Sequence, residues 1–465
     1  MDRNAEEYLR NWKTRASRKP LIIRGARQVG KSHLVREFVR KEFESLVEVN
    51  FELSRDALSY FGREDAHETL RLLSAHYDRP LKPGATLLFL DEIQAAPQVL
   101  SYLRYLYEQV PQLHVIAAGS LLEFALQDAA FSMPVGRIEY LHLGPMTFSE
   151  FLSATGHGET NSFLDEYTIG QELPVALHQK LNGLFRQYLV VGGMPASIAS
   201  FVSEGDYAAP DRAKQSILST YRDDFAKYRT RVAHDVLSAV FQALPGAVGT
   251  RMKYAQLCRE LRSEQISRAV RMLSMARVVY LVCHSACSGV PLGATVNRHW
   301  CKPLLVDVGL LTSASGLSMA AIARAEDLRL VNSGSVTEQF VGQHLLYRQD
   351  YYHEPELHFW CRESRSSNAE VDYVMGAGDR IVPVEVKAGA TGSLRSLNQF
   401  VVEKGVPMGV RFNTEPPSVC RSAGRMPAGD SYDFTLLSLP CYMVEQLGRL
   451  IEDPQALQSL AGRAA

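Results

Sequence analysis

LIIRGARQVGKSHLVREFVRK, residues 21–41, decides how this chain is read. An apolar run gives way to a glycine-bearing stretch and then to helical periodicity, so it predicts strand, loop, helix. Inside it, GARQVGKS (25–32) fits G-x-x-x-x-G-K-S in full, in the context that the motif requires. Over Gly25, Ala26, Arg27, Gln28, Val29 and Gly30 the backbone N–H groups are expected to curl around phosphates. The helix start adds a favourable dipole. Lys31 is expected to contact the β- and γ-phosphates and Ser32 to bind Mg²⁺, so ATP and Mg²⁺ are the expected ligands.

The second half of such a site is LLFLDEIQ (87–94). A continuous apolar strand delivers Asp91 at its end, where it would serve the Mg²⁺ shell. Glu92 follows directly and would polarise the attacking water. Ser120, ending the apolar run HVIAAGS (114–120), is placed either to sense the γ-phosphate or to cap a following helix. Arg137 is read as a structural arginine, with an arginine finger toward a neighbouring nucleotide as the alternative.

Length and composition bound the rest. A chain of 465 residues is too long for one ordinary core, which implies two or three domains. Lys plus Arg number 50 against 51 Asp plus Glu, so nucleic acid would have to be held by a local patch. Seven scattered cysteines with no C-x-x-C pair argue against zinc and against a disulfide framework. The charged N-terminus MDRNAEEYLRNWKTR and the absence of a long apolar run lead to the expectation of a cytoplasmic protein without membrane spans.

Strands alternating with helices over the first 150 or so residues predict an α/β domain with a parallel sheet. Residues 146–228 read as helical and are interrupted by VVGGMPAS (190–197). Residues 229–290 read as a helix pair, a longer helix and a β-rich end, which fits a winged helix. Its Arg251, Lys253, Arg259, Arg262, Arg268, Arg271 and Arg277 either line a DNA-facing surface or form a solvated face diluted by Glu260 and Glu264. A connecting segment (291–335), a strand-rich domain (336–445) and a tail (446–465) complete the expected division.

In the last domain, AEVDYVMGAGDRIVPVEVKAG (369–389) predicts a hairpin turning at GAGD. Glu385 and Lys387, two apart on a strand, share a face. Asp372 on the partner strand can converge on them. Two carboxylates can hold Mg²⁺, and a lysine beside them can steady a developing charge on phosphate. The alternative is a cross-strand salt bridge. Glu338 is a further candidate acid or a surface charge.

The ordered set PLIIRGARQVGKS, LLFLDEIQ, AAGSLLEF, GPMTFSEFL, FRQYLVVGGMPAS, VDVGLL, AEVDYVM and VPVEVKAG resembles a group of bacterial and archaeal AAA-type ATPases that carry a C-terminal nuclease-like domain. The resemblance implies a P-loop core, a helical lid, a winged helix and a restriction-endonuclease-like C-terminal fold. Two functions are carried forward. One is an ATP hydrolase coupled to a DNA-acting, nuclease-like domain. The other is an ATP-driven signalling or scaffolding switch whose C-terminal domain binds a partner without cleavage. Partners expected are ATP, DNA and further copies of the chain.

Overall fold

The computed structural model describes residues 1–62, 64–120, 122–123, 134–225, 232–316, 333–363, 369–389, 393–427 and 429–463. Parts of AAGSLLEF and of the expected connecting segment fall outside them. The chain divides into two compact units. The first comprises Met1–Pro145, Met275–Val278 and Gln349–Pro355. The second comprises Met146–Ser274, Val279–Arg348 and Glu356–Ala465.

Five strands build the first unit: β1 (Leu21–Arg24), β2 (Ser45–Asn50), β3 (Thr86–Asp91), β4 (His114–Gly119) and β5 (Glu139–His142). They form one parallel sheet in the order β2-β3-β4-β1-β5. Every residue of β3 and β4 is buried, which is why both read as unbroken apolar runs rather than alternating ones. Ile22, Val49, Leu88, Leu90, Leu103 and Val115 share one core cluster. The chain leaves β1 against the segment that follows β5: Leu143 N–H donates to Arg24 O at 2.7 Å. A Cβ at Gly25 would stand 2.3 Å from Leu143 O, so only glycine lets the loop begin there.

The second unit holds an eight-stranded mixed sheet in the order β12-β13-β11-β10-β9-β8-β6-β7. Its strands are β6 (Val279–Ser285), β7 (Val296–Leu305), β8 (His358–Cys361), β9 (Glu370–Ala377), β10 (Arg380–Val386), β11 (Met408–Asn413), β12 (Ser418–Arg425) and β13 (Ser431–Pro440). The sheet crosses the boundary expected at 290. The helices His234–Ala243, Tyr254–Leu257 and Ser263–Met275 are followed by β6 and β7, which pair antiparallel with each other, while β6 also pairs parallel with β8. Strands read as the end of a winged helix and as connecting segment thus belong to the same sheet as the hairpin β9–β10.

Two motifs distant in sequence meet in this unit. Asp307, fully buried, caps the helix Val308–Ala314 by accepting from Leu310 N–H at 3.0 Å. Its other oxygen accepts from Gly193 N–H at 2.6 Å. VVGGMPAS and VDVGLL therefore pack backbone on backbone. Gly192 has φ +78°, and a Cβ there would lie 2.3 Å from Asp307 Oδ1 and 2.8 Å from Gly309 Cα. Replacing it with alanine combines backbone strain with a clash against atoms that cannot move away. Gly192→Ala should cost about 2–4 kcal/mol and lower the melting temperature by several degrees. Gly183→Ala, in the helix Val175–Val191 with nothing within 4 Å of its Cβ position, is the control and should be neutral or slightly stabilising. Equal melting of the two variants would refute the close approach.

Candidate functional site

The loop after β1 turns into the helix Lys31–Glu42 through two left-handed residues, Gln28 (φ 65°) and Gly30 (φ 94°). This is how a short run of backbone N–H groups is made concave. Lys31 is buried, and its ammonium donates to the loop's own carbonyls, to Gly25 O at 3.0 Å and Ala26 O at 2.8 Å. Burial pulls its pKa down to about 8, against the opposing pull of Glu92 and Asp91.

Asp91 ends β3 facing this helix. Ser32 Oγ lies 3.1 and 3.0 Å from its two carboxylate oxygens, and Asn50 Nδ2 donates to Oδ2 at 3.4 Å. Asn50 is missing from the residues picked out of the sequence. It stands opposite Asp91 in the β2–β3 register, which a motif search does not read. Burial raises the Asp91 pKa from the ordinary carboxylate value. The Ser32 hydrogen bonds lower it, and the Glu92 charge raises it. A hydroxyl and a carboxylate held this close are hard oxygen donors that fit Mg²⁺.

Glu92 takes a left-handed conformation (φ 52°), its N–H donates to Asp91 Oδ1 at 3.1 Å, and its carboxylate accepts from Gln94 Nε2. Gln94 packs over Gly119, where a Cβ would stand 2.5 Å from its Oε1. Next along, Ser120 is buried and accepts from Arg27 Nε at 3.1 Å, a loop residue. Because β4 lies between β1 and β3, Ser120 emerges between the loop and Asp91. Arg137 pairs with Glu108 at 2.8 Å on the surface.

In the second unit, β9 and β10 pair antiparallel from Arg380↔Ala377 to Val384↔Tyr373. Val386 N–H donates to Asp372 Oδ2 at 2.7 Å. Lys387 forms an ion pair with Glu385 Oε1. Glu385 is 4% exposed, its Oε2 has no hydrogen-bond partner, and burial, then the Asp372 charge, push its pKa up to about 8 against Lys387 and Lys302. Glu338 is also present, in an ion pair with Lys302 at 2.8 Å. Asp372, Glu385 and Lys387 thus lie together, but their contacts are to ammonium and backbone N–H groups. Among the described residues no three His, Cys, Asp or Glu side chains are arranged to hold a metal ion. As they stand, these residues do not fit a divalent ion. Neither Lys302 nor Glu370 was picked out from the sequence.

Of the basic residues in the middle segment, Arg251, Lys253, Arg259, Arg262, Arg268 and Arg271 are exposed. Arg268 pairs with Glu264 at 3.5 Å. Arg277 is no part of such a face: it is buried in the first unit, within 2.7 Å of both Glu123 and Glu354.

A parallel sheet with a phosphate loop after β1 and an acidic pair after β3 defines a P-loop ATPase domain. Residues 17–152 match the family model described as an AAA domain, so this part of the chain is an AAA-type domain of the ATP-binding and ATP-hydrolysing kind. Residues 182–321 and 333–442 match two domains of unknown function, DUF8612 and DUF4143. Two structures of the Aeropyrum pernix ORC2 protein, the ADPNP–ADP and the ADP forms, are similar at 13% identity with a TM-score of 0.31. The similarity covers 69% of this chain and 90% and 94% of theirs. No curated protein matches the chain. Among the described residues no helix is long and apolar enough to cross a membrane.

The depressed Lys31 gives a pH signature. A bound triphosphate restores the charged form, so binding above about pH 8 takes up a proton and affinity falls as pH rises, by at most about tenfold per unit. Calorimetry near pH 9 in two buffers of different ionisation enthalpy should show that uptake. An apparent enthalpy independent of buffer would mean that Lys31 is already charged before the triphosphate binds.

Proposed function

We propose that the chain is a Mg²⁺-dependent ATP hydrolase whose nucleotide state governs a C-terminal domain that binds a partner without cutting it. The observation that carries the ATPase half is the contact of Ser32 Oγ with both oxygens of Asp91, bringing the phosphate loop and the acidic strand end to one point. Ser32 and Asp91 would hold Mg²⁺, which supplies charge neutralisation on the β- and γ-phosphates. Lys31 exchanges the loop carbonyls for phosphate oxygens. Glu92 orients water and takes its proton as the oxygen attacks the γ-phosphorus. The bond to the β-phosphate oxygen breaks, leaving ADP and phosphate. Asn50 positions Asp91, and Ser120, held by Arg27 of the loop, would sense the γ-phosphate.

For the C-terminal domain the helix Ser333–Leu346, the antiparallel strands β8–β9–β10, the helix Arg395–Lys404 and the parallel strand β11 support the restriction-endonuclease-like reading of the fold. The chemistry favours the non-cleaving alternative, because the acids of the hairpin are held by ammonium groups. DNA is the proposed partner, on the strength of the exposed arginines of the segment read as a winged helix.

Glu92→Gln should bind ATP as the unaltered chain does and hydrolyse it about 10²-fold more slowly or worse, the scale of a general base. Steady-state phosphate release at the original rate would move that role to another group.

Arg268→Glu with Arg271→Glu should weaken DNA binding and flatten its dependence on salt. Fluorescence anisotropy over a salt series reads both. An unaltered affinity and slope would leave these arginines as a solvated face.

A further inference from the structure

Lys302 sits on β7 with 2% of its side chain exposed. Its ammonium lies 2.8 Å from Glu338 Oε1, 2.9 Å from Glu370 Oε1 and 3.8 Å from Asp372 Oδ1. The rings of Phe359 and Tyr373 stand 5.3 and 5.9 Å from it. β7, β9 and the helix Ser333–Leu346 therefore converge on one buried cation. Glu338 Oε2 lies over Gly249, where a Cβ would be 2.9 Å off, and Tyr373 OH donates to the Glu338 backbone carbonyl at 2.9 Å.

Two carboxylate oxygens at 2.8 and 2.9 Å and a third at 3.8 Å surround the ammonium of Lys302. An ammonium suits this place, because it has three N–H donors and no acceptor, and aromatic faces favour a desolvated cation. A hard divalent ion seeks the same oxygens, with six or more ligands. The two cannot share the space. A metal entering here would displace the ammonium and leave a charged lysine buried without partners, which is strongly unfavourable. The remaining acid, Glu385, keeps one oxygen on Lys387 and one without a partner. A single free carboxylate oxygen does not hold a divalent ion.

We infer that Lys302 is a built-in cation: its ammonium occupies the place among Glu338, Glu370 and Asp372 that a divalent metal would need, so the C-terminal domain takes no Mg²⁺ or Mn²⁺ there. The inference rests on the non-cleaving reading above and deepens it, but the two can fail separately. Cutting of DNA with metal held elsewhere would end that reading and leave the lysine's role standing.

The test is Mn²⁺ titration of the full chain without nucleotide, followed by thermal melting and by the electron paramagnetic resonance of free Mn²⁺. Asp372→Asn identifies the cluster's share of any binding. With Lys302 in place, Asp372→Asn should leave Mn²⁺ uptake as it is in the unaltered chain. Lys302→Met should melt about 6–20 °C lower, as expected on breaking a buried ion pair. Mn²⁺ should restore much of the loss, and Lys302→Met with Asp372→Asn should not respond. Mn²⁺ uptake by the unaltered chain that Asp372→Asn abolishes would overturn the inference. So would a folded Lys302→Met that Mn²⁺ does not stabilise. Should Lys302→Met fail to fold, Lys302→Met with Glu338→Gln, which leaves one fewer buried charge, gives the same reading. The arm on the unaltered chain decides without any lysine variant.

Discussion

Strand β4 lies between β1 and β3, and the ATPase site depends on that order. Three parallel neighbours send their C-terminal ends to one edge, where ligands of open α/β sheets gather. The phosphate loop leaves β1, the acidic pair leaves β3, and Ser120 emerges from the strand between them. Ser32 and Asp91, 59 residues apart in sequence, meet because of this order. Glycine at 25 and 119 then lets backbone and Gln94 approach where a side chain would stand.

The second unit meets a different constraint, the burial of carboxylates, and answers it in two ways. Asp307 is surrounded by backbone N–H groups of Gly193 and Leu310, which pull its pKa down against the upward push of burial. It ties two stretches of backbone together, with the charge of Lys214 pulling its pKa down as well. Glu338, Glu370 and Asp372 use Lys302 instead. Burial opposes the charge on that lysine, yet Glu338, Asp372 and Glu370 together raise its pKa above the ordinary value. Buried ion pairs of this kind add little net stability compared with apolar packing, but they punish the removal of one partner. They act here as a tie between β7, β9 beyond the intervening strands β6 and β8 of the sheet, and the helix carrying Glu338.

What could be read from the sequence follows the range of the interactions. The phosphate loop is local: its glycines, Lys31 and Ser32 are set by consecutive residues, so their spacing announces them. The apolar runs of β3 and β4 are legible because strands buried on both faces lose alternation. Asn50 was not legible, since its place beside Asp91 comes from strand register. Lys302 was hidden for the same reason and because it lies in a stretch that reads as a connection between domains. Strand β6 looked like the end of a small helical domain and β7 like part of a connection, and only the pairing of β6 with β8 shows the sheet that they join. Arg277 looked like one more surface arginine in a basic helix. Its burial depends on Glu123 and Glu354, from distant parts of the chain.

The contact of Gly192 with Gly309 differs in kind from the rest of the packing. A contact between leucines can be retuned one methylene at a time as helices slide. A contact between two α-carbons has no smaller residue to fall back on, so the distance across it cannot drift. As substitutions accumulate elsewhere, the neighbouring helices must adjust around that fixed separation. The pair therefore serves as an origin of coordinates for its unit, the place from which the positions of surrounding elements are measured and to which none of them can yield.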